Sequence, residues 1–144
     1  MTVPFDPTNP VVALCARGIA AEGEPDVARR LYEEAWTLRT DDFDAAIAAH
    51  YLARQQATVE QEAHWCAVAL AHAERVSDGR AESLLPSLLL NLGDAQRRAG
   101  DRESAQRAAS RAQGLAETLP FGGYRDFISM GVERLSRRLQ AGSR

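Results

Sequence analysis

The stretch that decides the fold of this chain is Leu92-Gly93-Asp94-Ala95-Gln96-Arg97-Arg98-Ala99-Gly100-Asp101. Its Gly-Asp pair separates two segments of helical periodicity, so the stretch predicts two antiparallel helices joined by a tight turn. Small residues follow at the spacing of one helix face, at Ala105, Ala109 and Ala112. Together with Gly93 they lie where the two helices must touch, and they predict close packing of the pair.

The same pattern occurs a second time, nearer the N-terminus. Four positions have counterparts displaced by one constant offset: Gly23, Ala28, Tyr32 and Ala35 precede Gly100, Ala105, Ala109 and Ala112. A repeat of this kind indicates stacked copies of one supersecondary unit. Because no β-strand alternation appears anywhere in the chain, we expect an all-α fold.

Composition limits the class of protein. The 144 residues predict one domain, and the contents of 45% hydrophobic and 26% charged residues are those of a globular protein. We expect an extended N-terminal arm over 1–9, a single helical domain over 10–140 and a tail over 141–144. The first ten residues contain no signal-peptide pattern, and no apolar run approaches the length of a membrane span. These features predict a cytoplasmic protein without a membrane partner, in which Cys15 and Cys66 are buried free thiols.

Turn and cap signals divide the domain into about seven helices. The first predicted helix covers residue 10 to about 23, and a second follows the turn over 23–26 and reaches 38. The others cover 43 to about 55, 60 to about 76, a fifth ending at 99, about 102 to 118, and 124 to about 139. In the fifth, Pro86 either starts the helix after a turn over 81–85 or kinks it. In the seventh, one side is predicted to be apolar: Phe127, Ile128, Val132, Leu135 and Leu139.

The repeat fits a known template. The tetratricopeptide pattern places Leu-Gly in a first helix and spaced alanines in a second, and the positions that match it are Leu92-Gly93, Gln96, Gly100, Ala105, Ala109 and Ala112. An earlier unit matches with Cys15-Ala16 in the Leu-Gly position, whereas in the middle unit Gln56 replaces the turn glycine. The chain resembles tetratricopeptide repeat proteins, and through His50-Tyr51-Leu52-Ala53-Arg54 it is similar to short bacterial members. The resemblance implies a right-handed superhelix of three helix-turn-helix repeats plus a C-terminal capping helix.

In such repeats the first helix of each pair lines a concave groove. By this register the groove positions are Ala13, Arg17 and Ala20; Phe43, Ala46, His50 and Arg54; and Ser87, Leu90, Asp94, Arg97 and Arg98, flanked by Asn91. Some family members use a basic, Asn-lined groove to hold the C-terminal carboxylate of a peptide, for which bidentate arginine is suited. The predicted peptide-binding residues are Arg17, His50, Arg54, Asn91, Asp94, Arg97 and Arg98. The alternative is that these arginines form a solvated face.

The expected function is therefore that of a protein- or peptide-binding module whose partner is an acidic segment or a C-terminal carboxylate. The alternative is a small-molecule-binding or enzymatic protein with a pocket around His50, Tyr51, Arg54 and Asp94, although no catalytic motif accompanies these residues. We expect no metal site, because His64 and His72 lie two turns apart without a ligand set, and no cofactor. A basic C-terminal part and an acidic N-terminal third would favour an acidic partner or head-to-tail self-association, whereas the lack of interleaved aromatics disfavours nucleic acid.

Overall fold

A computed structural model describes residues 6–142 of the chain. These residues form seven α-helices and no strand, which confirms the all-α prediction. The helices are α1 (Pro10–Ala20), α2 (Pro25–Thr37), α3 (Asp42–Ala53), α4 (Val59–Arg75), α5 (Leu85–Arg98), α6 (Arg102–Ala116) and α7 (Gly123–Ala141). A 3-10 turn, Glu82–Leu84, precedes α5, so Pro86 lies in the first turn of that helix and starts it.

Side chains cap four of the seven helices among the described residues. The Asn9 Oδ1 accepts a hydrogen bond from the backbone N–H of Val11 at 2.8 Å and begins α1. Asp41, Thr58 and Asp101 accept from the backbone three residues on and begin α3, α4 and α6. These bonds satisfy amides that the first turn of a helix leaves without partners, which is why local sequence suffices to place the starts.

The helices pack as consecutive pairs. Helix α1 packs on α2, α3 on α4, and α5 on α6, while α7 packs on α6 and α5. Successive pairs are joined because α1 and α2 contact α3, and α4 contacts α5. One hydrophobic cluster extends from Val11 in α1 to Val132 in α7, and a smaller one joins Ala105 and Ala109 to Leu135 and Leu139.

Glycines mark the closest approaches between helices. A Cβ on Gly93 would lie 2.8 Å from Leu135 Cδ2 and 3.3 Å from Ala108 Cβ, so the glycine is packed against both α6 and α7. In the first pair the close approach is at Gly18, where a Cβ would lie 2.2 Å from Cε1 of Tyr32. The expectation that Ala16 occupies this position is wrong, since Ala16 is exposed.

Both ends of the chain lie partly outside the described residues. Of the arm predicted over 1–9, residues 1–5 are outside, and residues 6–9 form a turn in which Asp6 Oδ1 accepts from Thr8. Of the tail predicted over 141–144, Ala141 ends α7, Gly142 caps it, and 143–144 are outside. Within 6–142 none of the helices combines the length and the apolar character that a bilayer crossing requires.

Candidate functional site

The structure brings most of the predicted groove residues together between α3 and α5. A hollow of about 120 Å³ lies between these helices and α4, lined by His50, Ala53, Arg54, Glu62, Cys66, Asn91 and Asp94. Arg97 and Arg98 are bonded to Asp94 at its edge. Six of the seven predicted residues therefore share one polar centre, and Arg17 does not.

Arg54 is held by an internal carboxylate. Its Nε and Nη2 donate to the two carboxylate oxygens of Glu22 at 2.8 and 2.7 Å, and the hydroxyl of Tyr32 donates to Glu22 at 2.9 Å. The hydrogen bond from Arg54 holds the pKa of the Glu22 carboxyl below its ordinary value. Glu22 lies in the α1–α2 turn and was absent from the sequence prediction, because nothing local connects two residues so far apart in the chain.

Asp94 is the centre of a second ion-pair network. It accepts hydrogen bonds from Arg97 Nη2 and Arg98 Nε, both at 3.0 Å, and Arg138 Nη1 lies 3.6 Å away. Burial opposes the charge on Asp94, but the two hydrogen-bonding arginines outweigh it and hold its pKa below the ordinary value. Arg98 also donates to both oxygens of Glu62, so α4, α5 and α7 are tied together at this point.

His50 is a neutral hydrogen-bonding group in this centre. It is half-buried, its ring lies 4.7 Å from that of Tyr51, and its Nδ1 is 3.5 Å from the amide nitrogen of Asn91. Burial, followed by the charge of Arg54, lowers the pKa of His50 to about 4. At neutral pH the imidazole adds no positive charge to the groove.

The groove register of α1 differs from the prediction by one residue. Four residues of α1 line an apolar hollow of about 80 Å³ together with Ile47 and Tyr51 of α3, and these four are Val12, Cys15, Ala16 and Ile19. Arg17 lies off this line, is exposed, and makes no hydrogen bond or ion pair with any of residues 6–142. In α3, Phe43 and Ala46 are also misplaced by the prediction, since both are buried in the core.

The four residues of the alternative pocket are divided between two hollows. His50, Arg54 and Asp94 line the polar one, whereas Tyr51 lines the apolar one and stacks on Tyr32 with ring centroids 5.5 Å apart. The polar hollow of about 120 Å³ is smaller than the range of about 300–1,000 Å³ typical of small-molecule sites.

Sequence reasoning missed a cleft between α5 and α7. It has a volume of about 290 Å³ and is lined by Leu90, Asn91, Asp94, Phe127, Met130 and Arg134, among others. Phe127 is 66% exposed and Met130 59%, so the placement of Phe127 on the apolar side of α7 is wrong. The buried stripe of α7 starts one residue later, at Ile128. Gly131 is a signal in the sequence that could have indicated the cleft. A Cβ at this position would lie 2.7 Å from Leu90 Cδ1, so the glycine marks the face of α7 that packs against α5.

The remaining histidines have aromatic or acidic neighbours. His72 Nδ1 lies 2.8 Å from a carboxylate oxygen of Asp42, and the ring of His64 lies 5.5 Å from that of Trp65. Over the described range 6–142, no three His, Cys, Asp or Glu side chains are grouped so as to hold a metal ion. Cys15 and Cys66 are free and buried, as the sequence predicts, and burial raises the pKa of each thiol to about 12.

Comparison of the chain with protein-family models, with curated proteins and with solved structures finds no match. The tetratricopeptide resemblance therefore depends on the residues quoted above. It stays a prediction, as do the peptide partner, the groove residues and the cytoplasmic location.

Proposed function

We propose that the chain is a protein-binding module of the tetratricopeptide type. In this proposal the pairs α1–α2, α3–α4 and α5–α6 form three repeats of a right-handed superhelix, and α7 is the capping helix. Support comes from the consecutive packing of the pairs and from the buried small residues Gly93, Ala105 and Ala112 at template positions. The face made by α1, α3, α5 and α7 is then the binding face.

The observation that carries the proposal is the exposure of Phe127 and Met130 at the α5–α7 cleft. Large apolar side chains left in water beside a cleft mark an interaction site, because covering them is favourable by about 25 cal/mol per Å². The apolar hollow at Ile19 lies on the other side of the polar centre. An extended segment with apolar residues at both ends and polar residues between them would match this order.

The charges of the cleft favour a segment that carries a carboxylate. Arg134 is exposed and makes no hydrogen bond or ion pair within the part of the chain that the structure describes. Arg54, Arg97 and Arg98, by contrast, are already bonded to internal carboxylates, and a ligand would have to displace these. A carboxylate beside the apolar anchor would therefore pair first with Arg134.

The test is selection of a displayed peptide library on the wild-type protein, followed by calorimetry of the enriched peptides. We expect these peptides to combine a large apolar residue with an acidic residue or a free C-terminus. Phe127→Ser should weaken their binding about tenfold or more, because truncating a central apolar anchor costs over 1 kcal/mol. Arg134→Gln should weaken binding less and reduce its dependence on salt.

A matched control is available on the same part of the chain. Phe121 is 91% exposed but does not line the cleft, so Phe121→Ser should bind as the wild type does. If Phe127→Ser and Phe121→Ser bound the enriched peptides with equal affinity, the α5–α7 cleft would not be the binding site. A library from which no peptide is enriched would remove segment binding altogether.

A further inference from the structure

A second groove lies away from the concave face, between α2 and α4. It has a volume of about 620 Å³, and its lining includes Trp36, Trp65, Gln61, Arg29 and Glu33. The two indole rings have centroids 5.1 Å apart and planes at 80°, so they meet as a corner. Both tryptophans of the chain are thus in one groove, and both are half-buried.

Three hydrogen-bonding side chains that line the groove have donors without a partner among the described residues. Neither indole N–H donates to any of residues 6–142, and the side-chain amide of Gln61 makes no hydrogen bond within the same residues. Trp36, Trp65 and Gln61 can therefore donate to carbonyl groups of a ligand. A ligand rich in free carbonyls and poor in N–H groups would satisfy them best.

The shape of the aromatic pair limits what can bind. The guanidinium of Arg39 lies over Trp36, 4.0 Å from the ring centroid, and so covers one face of that ring. A sugar needs an open, flat aromatic face for stacking, which a corner of perpendicular rings with one covered face provides poorly. A pyrrolidine ring, which is compact and apolar, fits into such a corner.

Glu33 is the charged residue lining the groove that has no partner of opposite charge among residues 6–142, and Arg39 beside the groove donates to the carbonyl oxygen of Trp36. Its carboxylate is exposed and makes no ion pair within the described residues, whereas the neighbouring Arg29 lies 3.5 Å from a carboxylate oxygen of Asp26. A positive charge on the ligand that lies beside Glu33 would therefore complement this carboxylate.

We infer that this groove binds a proline-rich segment in the polyproline II conformation, flanked by a lysine or arginine. Such a segment exposes backbone carbonyls that have no internal hydrogen bonds, and proline supplies no N–H. Aromatic-lined grooves elsewhere bind it with little loss of entropy, because the helix is already formed in solution. The inference is independent of the concave face, since none of its residues lines the α5–α7 cleft.

The experiment uses the fluorescence of Trp36 and Trp65, which report only on this groove. Titration with a synthetic oligoproline peptide ending in arginine should shift the emission saturably. The same peptide with glutamate in place of arginine should bind more weakly. Glu33→Gln should weaken binding of the arginine peptide about two- to fivefold, as expected for loss of an exposed ion pair. Glu34→Gln, at an exposed residue of α2 that does not line the groove, should not weaken it.

Trp65→Phe tests the indole N–H, because it keeps an aromatic ring in the corner and removes the donor. We expect weaker binding with unchanged helix content by circular dichroism, and Phe127→Ser should bind the oligoproline peptide as the wild type does. Absence of a shift up to about 1 mM peptide would overturn the inference. So would a shift produced by an oligosaccharide but not by the peptide, or equal affinity of the wild type, Glu33→Gln and Trp65→Phe.

Discussion

At the scale of single residues, the Gly18–Tyr32 pair defines how the first two helices meet. Tyr32 is fully buried and its hydroxyl is fixed by Glu22, so the ring cannot turn away from α1. In the last pair, by contrast, the position equivalent to Tyr32 is Ala109. The larger side chain in the first pair requires a residue without a side chain opposite it, which is Gly18.

The first prediction is that Gly18→Ala destabilises the protein by roughly 1–3 kcal/mol. The added Cβ would overlap the ring of Tyr32, and a buried, hydrogen-bonded ring yields only at the expense of other contacts. The control is Gly114→Ala, where a Cβ on α6 meets nothing within 4 Å. Because alanine favours a helix more than glycine does, the free energy of unfolding of Gly114→Ala should be higher than that of the wild type by up to about 1 kcal/mol. Urea unfolding measures the stability of both variants. If both changed in the same direction, Gly18 would not be packed tightly against Tyr32.

At the scale of elements, Asp44 holds together the start of α1, the α2–α3 connection and the start of α3. It is the one buried charged side chain among the described residues, and it accepts from Asn9 Nδ2 at 2.8 Å and from the N–H and hydroxyl of Thr40 at 3.0 Å. Asn9 caps α1 and Thr40 lies in the α2–α3 connection. The start of α3 is thereby fixed against both.

We predict that Asp44→Ala lowers stability by about 1–3 kcal/mol, because it leaves three donors without their acceptor. Asp126→Ala is the comparison. Asp126 also lies in the first turn of a helix, α7, but it is exposed. Its replacement should therefore remove only the interaction of the carboxylate with the helix dipole and lower the free energy of unfolding by about 0.3–1 kcal/mol. Thermal unfolding of the two variants measures the difference. Similar melting temperatures would mean that Asp44 acts only through the dipole of α3.

At the scale of the whole molecule, the sequence predicts the helices well and the polar centre incompletely. Helix starts follow from bonds between near neighbours, such as Thr58 with Gln61, so they can be read locally. Whether α1 turns Val12 or Ala13 toward the groove depends on how the helices cross. A shift of one residue moves a side chain by about 100° around the helix axis. The pairing of Arg54 with Glu22 depends on the same packing. Local sequence therefore indicates which residue types gather in the groove but not which charges are already neutralised there.

The pH dependence of folding follows from His50. Its pKa is about 4 in the folded protein and about 6.5 in an unfolded chain, so between these values the unfolded state binds more protons. The contribution of the neutral imidazole is fully present above about pH 6.5 and is lost as the pH falls toward 4. The loss should be about 1 kcal/mol or less per pH unit, because His50 is only half-buried.

We therefore expect His50→Gln to lose less stability than the wild type between pH 7 and pH 5, as measured by urea unfolding. Glu22 and Asp94, whose pKa values are lowered, lose their contributions at lower pH and do so in both proteins. Parallel profiles for the two proteins would show that His50 titrates normally.

The two buried cysteines have a practical consequence. Cys15 lines the apolar hollow beside Ile19, and Cys66 lines the polar hollow beside His50. Each of these two hollows is thus lined by one cysteine sulfur. Alkylation of that sulfur would add mass to the peptide that contains it. Because both thiols are buried and burial raises the pKa of each to about 12, neither is readily alkylated while the helices stay packed. The rate at which each sulfur is alkylated in the native protein therefore measures how often the packing around its own hollow opens.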